Sequence, residues 1–132
     1  PNGCVAVSMT ALMHYWSYPT TGYGSNSCYC GGYGTQSADF SDVIYDYASM
    51  GDAVSATDAA ALLLWHAGVS VNMDYECEGS GSMVTGGFPS AEYSLKYNFN
   101  FKLNMYDAHP YSYSDAGWID KLASEISRIT NA

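Results

Sequence analysis

Val5, Met9, Leu12, Met13 and Trp16 recur at a spacing that, at 100° per residue, gathers all five into one narrow arc. Any fold that includes this segment must bury that arc, so the chain is expected to open on a buried-faced helix. Cys4 falls in its first turn, and with Ser8, Ala11 and Tyr15 it lies on the flank of the seam. Two readings of the cysteine follow. Unpaired backbone N–H groups and the positive end of the macrodipole favour thiolate over thiol at such a position, and a sulfur anion attacks carbonyls where a thiol barely does. Cysteine is also among the most buried residue types and packs as a small hydrophobe.

With 132 residues and 48% apolar content, the chain can bury one core, and it holds no apolar run of transmembrane length. The formal net charge is −9. Lys96, Lys102, Lys121 and Arg128 are the only basic residues besides histidine, and residues 1–95 carry no lysine or arginine. Nucleic-acid binding is disfavoured, because neutralising phosphates needs a basic patch. An acidic surface keeps a chain soluble and favours basic or neutral partners over anionic membranes, or is simply a solvated face with no particular partner, which is the preferred reading. No positively charged, apolar leader opens the chain; since it begins within the cysteine motif, that says nothing about export.

The remaining elements are expected as follows. Residues 19–38, rich in Gly, Tyr, Ser and Thr, read as a loop punctuated by turns. Phe40, Val43, Ile44 and Tyr47 give a short helix within Asp39 to Met50. The run Ser55-Ala56-Thr57-Asp58 supplies a cap and an acidic first turn for an apolar helix through Leu62, Leu63, Leu64 and Trp65, closed by Gly68. Val69, Val71, Met73 and Tyr75 alternate with Ser70, Asn72 and Asp74, the period of a half-buried strand. Glu76 to Gly87 is a glycine- and serine-rich loop. Residues 89–99 read as a helix and Asn98 to Tyr106 as a region with a strand. Ser114 to Asn131 is an amphipathic helix through Trp118, Leu122, Ile126 and Ile129, capped by Ser114 or Asp115. No internal repeat or low-complexity boundary divides residues 1–132, which read as a single unit.

Cys28 and Cys30 flank Tyr29, and Cys77 lies in a Glu-containing loop. A Cys-x-Cys with no second close pair lacks the spacing of a structural zinc site, so zinc is not expected. Export would permit one bridge among Cys28, Cys30 and Cys77, and sequence does not choose the pair. Of the histidines, His14 lies ten residues from Cys4 on the same helix, about 15 Å along its axis, out of reach as a base. His66 reads as structural or surface at the end of its helix. His109, held extended before Pro110, reads as exposed.

The wording around Cys4 adds to this. Gly3-Cys4-Val5-Ala6, the small residues after it, Leu12-Met13-His14-Tyr15-Trp16-Ser17-Tyr18-Pro19 and Gly22 together resemble the active-site helix of the streptopain-type secreted bacterial cysteine peptidases. The similarity resumes in Ala67-Gly68-Val69-Ser70-Val71-Asn72-Met73-Asp74-Tyr75, in the Ser80-Gly81-Ser82 loop, and around Trp118-Ile119-Asp120-Lys121-Leu122. The resemblance implies an α+β, papain-like cysteine peptidase fold, truncated to its helix-rich N-terminal half with little of the central antiparallel sheet. It implies that Cys4 is the nucleophile, that its backbone N–H contributes to an oxyanion hole, and that no metal or organic cofactor is required. Ser80, Gly81 and Ser82 are then substrate contacts bordering the cleft, although the loop here is one residue longer between Tyr75 and the serines.

The resemblance also implies parts outside residues 1–132: a histidine in a Gly-His segment beyond Ala132 and an oxyanion glutamine before Pro1. On that reading the unit is incomplete, and these residues alone are inactive. Protein or peptide substrates, the C-terminal half and an inhibitory propeptide are the expected partners, and the location is outside a bacterial cell, secreted or on its surface. Two other classes stand beside this one. The 13 tyrosines and three tryptophans would suit a noncatalytic binding module on the same scaffold. A cysteine amidase or acyltransferase would use the same nucleophile on non-protein substrates.

Overall fold

The computed structural model describes residues 2–51, 57–104 and 108–130. Among the described residues the chain forms four α-helices and one two-stranded sheet: α1 (Cys4–Trp16), β1 (Ser25–Tyr29), β2 (Thr35–Asp39), α2 (Asp58–Ser70), α3 (Ala91–Tyr97) and α4 (Asp115–Thr130). Gly3 holds φ 78° and ψ 132°, outside helical space, and so sets the start of α1 at Cys4. The helix ends at Ser17, which is left-handed; its N–H reaches the His14 carbonyl and that of Tyr18 reaches Met13, both at 3.0 Å.

The buried face of α1 is Val5, Ala6, Met9 and Met13. Leu12 and Trp16 of the expected arc are exposed instead, so the seam is rotated toward Ala6. It packs on Leu63 and Ala67 of α2, on Val71 and Met73 beyond it, and on Leu95 and Phe99. Complete burial of one such side chain contributes about 1.5–3 kcal/mol.

The loop expected over 19–38 is corrected to an antiparallel hairpin, with Ser25 opposite Asp39 and Tyr29 opposite Thr35. Each strand buries one side chain, Cys28 and Ala38. Hydrogen bonds fix it to the body: the Asn26 amide donates to the Val69 carbonyl and to Asn72 Oδ1, both at 2.7 Å.

The helix expected within Asp39 to Met50 is also corrected. Only a short 3₁₀ turn at Tyr47–Ser49 forms, because Asp39 and Asp46 accept the backbone N–H groups of Ser41 and Ser49 in local turns. The Tyr45 N–H pairs with Thr20, and Ile44 is left exposed.

α2 is capped by Thr57, whose Oγ1 accepts from the Ala60 N–H at 3.2 Å. Ser55 and Ala56 of the expected cap lie outside the described residues. Gly68 does not close the helix but sits inside it, where a Cβ would collide with the Tyr75 hydroxyl. The strand expected over Val69 to Tyr75 is accordingly corrected: α2 runs through Ser70, Asn72 turns back at φ 49°, and a lone bridge joins Asp74 to Gly81. α3 begins after its Ser90 cap and is tied to α2 by the Ser94 hydroxyl, which donates to the Ser70 carbonyl at 2.8 Å. Among the described residues of 98–106 there is no strand. α4 runs over Asp115–Thr130 of the expected Ser114 to Asn131, Asn131 lying outside the described residues, and Ser114 Oγ accepts from the Gly117 N–H. Its Ile119 and Leu122 are exposed, and the side chains of Ile126 and Ile129 are not described.

Candidate active site

Cys4 is the first residue of α1 and is exposed. The Gly3 carbonyl accepts the first helical bond, from Val7 at 3.1 Å, so the amides of the opening turn have no partner within the helix. The first turn contains no acidic side chain that would compete for that positive end. Cys4 therefore sits in the opening turn of α1, beside its first amides, with access to solvent.

Gly3 joins this turn to the serine loop. A Cβ there would stand 2.5 Å from the Met73 sulfur and 3.3 Å from the Ser80 Cβ, so only glycine allows the approach. Of the three loop residues singled out from the sequence, Ser80 thus packs directly behind the nucleophile's turn. Gly81 exchanges backbone hydrogen bonds with Asp74, at 3.0 and 3.2 Å. The Ser82 hydroxyl donates to the Val71 carbonyl and anchors the loop to the end of α2.

A cavity of about 500 Å³ opens beside Asn2, lined by Tyr33 from the hairpin turn, Ala60, Leu64 and Trp65 from α2, and Tyr75. Sequence reasoning gave none of these residues a part in a site. The α2 contribution carried a usable signal, since Ala60, Ala61, Leu64 and Trp65 share one helical face. Tyr33, in a glycine-rich turn without periodicity, carried none.

All three histidines are engaged elsewhere. His14 faces Tyr47 across 6.4 Å between ring centroids, and His109 stacks on Tyr111 at 4.9 Å. His66 is buried, with Nδ1 2.9 Å from the Tyr45 hydroxyl and its ring against Phe40 and Trp65. Burial pushes its pKa below the ordinary histidine value, with the Asp39 carboxylate opposing. Among the described residues no group of three or more His, Cys, Asp or Glu side chains could hold a metal ion, and no helix is long and apolar enough to cross a membrane.

The comparisons with known proteins define the class first: this is an α+β fold of the papain-like cysteine peptidase type. A fragment of Prevotella intermedia prointerpain A matches 96% of the chain with a TM-score of 0.83 and 30% identity. Active wild-type interpain A cysteine protease from the same organism also matches 96%, with a TM-score of 0.81 and 32% identity. The chain spans 43% of the first structure and 55% of the second. The peptidase C10 family model matches residues 1–131, and the chain belongs to that family. None of the curated proteins matches it. The kinship is the streptopain type that the Gly3-Cys4 and Ser80-Gly81-Ser82 motifs resemble.

Proposed function

We propose that this chain is the nucleophile-bearing half of a secreted bacterial cysteine endopeptidase, with Cys4 attacking the peptide carbonyl. One observation carries the reading: an exposed cysteine at the first position of a helix, backed by a glycine that brings the Ser80 loop against its turn. The thiolate adds to the carbonyl carbon, and the oxyanion takes hydrogen bonds from the Cys4 N–H and from a glutamine preceding Pro1. An imidazolium supplied from beyond Ala132 protonates the leaving amine. The thioester that remains is hydrolysed by water, with the same imidazole as base. Ser80, Gly81 and Ser82 hold the substrate main chain beside the sulfur.

The names of the relatives support the protease reading, and the "pro" form of one supports synthesis as a zymogen with an inhibitory propeptide. The three engaged histidines support a base outside residues 1–132. The test compares residues 1–132 with the longer protein expected to contain a downstream Gly-His segment. The longer protein is expected to hydrolyse a peptide substrate, Cys4→Ala to abolish turnover, and residues 1–132 alone to give none. Turnover surviving Cys4→Ala would remove Cys4 as nucleophile, and turnover by residues 1–132 would remove the need for an outside histidine. Hydrolysis of small amides without peptides would replace the endopeptidase reading by an amidase one.

A further inference from the structure

The end of β1 brings together a pair of sulfurs with no part in this chemistry. Side chains two apart on a strand leave the same face, and here that face turns inward: Cys28 and Cys30 are buried while Tyr29 between them is 77% exposed. The two Sγ atoms stand 3.2 Å apart. Closure by about 1 Å would bring them to the bonded S–S length of roughly 2.05 Å. The backbone permits it. An extended i, i+2 pair separates its Cα atoms by about 6.6 Å, within the roughly 4.4–6.8 Å that disulfides span. Cys30 also leaves the strand at φ −116° and ψ 66°, entering the 3₁₀ turn Gly31–Tyr33. Cys77, the third thiol the sequence left open as a partner, lies exposed in the loop after Tyr75.

We propose that Cys28 and Cys30 form a disulfide at the end of β1, made as the hairpin folds in the presence of a small-molecule disulfide oxidant. One cysteine thiolate attacks a sulfur of the oxidant R–S–S–R, giving a protein–S–S–R mixed disulfide and releasing RS⁻. The second cysteine thiolate attacks the protein sulfur of that mixed disulfide and releases the second RS⁻. Each released thiolate takes up the proton lost by one cysteine, so two thiols are oxidised by two electrons and R–S–S–R becomes two RSH. In the folded, reduced hairpin, burial and the neighbouring Cys30 push the Cys28 thiol up to about 12. The thiolate is then scarce at neutral pH, so the bridge forms before the pair is covered.

The bridge would stiffen the hairpin end that presents Tyr33 to the cavity and Gln36 to Trp65, whose Nε1 donates to Gln36 Oε1 at 3.3 Å.

The test refolds the reduced, denatured protein, in its native sequence context, with excess oxidised over reduced glutathione. Acid quenching, alkylation with N-ethylmaleimide and mass mapping of a chymotryptic digest then assign each cysteine. Chymotrypsin cuts after Tyr29, so a Cys28–Cys30 bridge is expected as two peptides that separate only on reduction, with Cys4 and Cys77 alkylated. Cys77→Ser is expected to keep that bridge. A bridge to Cys77 or Cys4, or four alkylated cysteines, would overturn the proposal. Protein secreted into an oxidising compartment and trapped without unfolding must give the same linkage, and a different one would equally overturn it.

Discussion

At the scale of single residues, Gly3 carries the tightest constraint on the candidate site. Its φ of 78° disfavours any side chain, and its neighbour Met73 is 1% exposed and has no free space to swing into. Gly3→Ala is expected to cost about 1–3 kcal/mol, read as a lower urea midpoint. A midpoint unchanged from the parent would mean that the backbone relaxes without loss. Cys4 was legible in the sequence, because helical periodicity placed it in a first turn. The Ser80 contact was legible only through the family motif, since no local pattern signals that a loop nearly 80 positions away folds against a glycine.

Among the elements, α2 organises the most neighbours, touching α1, the hairpin and α3. Its start depends on one side chain, so Thr57→Ala is expected to lower stability by about 1 kcal/mol, and Thr57→Ser to restore most of it. Equal midpoints for all three proteins would show that the cap bond at 3.2 Å contributes nothing.

The helices α1 and α4 were visible as periodic apolar segments, α2 as a capped apolar run, and α3 as a further stretch with apolar members. The hairpin was not: Ser25–Tyr29 and Thr35–Asp39 bury only Cys28 and Ala38, so the alternation that marks strands is missing. What holds them is backbone pairing and the Ser27–Ser37 hydroxyl contact at 2.8 Å. Val69 to Tyr75 failed in the opposite way. Val69, Ser70 and Val71 are all buried, so the apolar alternation came from a helix terminus surrounded on every side and was mistaken for a pleat.

For the molecule as a whole, His66 links α2 to Tyr45 and Phe40, and its titration bears on global stability. Burial depresses its folded pKa below the ordinary histidine value of about 6.5, so above that pH it is neutral in both states. As pH falls below 6.5 the unfolded chain takes up a proton that the folded one resists, and stability declines until the folded pKa is passed. Thermal midpoints are expected to drop between about pH 7 and 5, and to drop less in His66→Asn. An equal drop in both proteins would assign the effect to other groups. A different consequence follows from the Gly3–Ser80 approach. Because turn and loop touch, the sulfur and the proposed substrate rail belong to one packed unit, and under the proposed function the proton acceptor comes from another. On that reading, opening or closing between the two would change reactivity without shifting where a bound peptide lies along the rail. Affinity and turnover would then be separately adjustable properties, one written into these residues and the other into the joint.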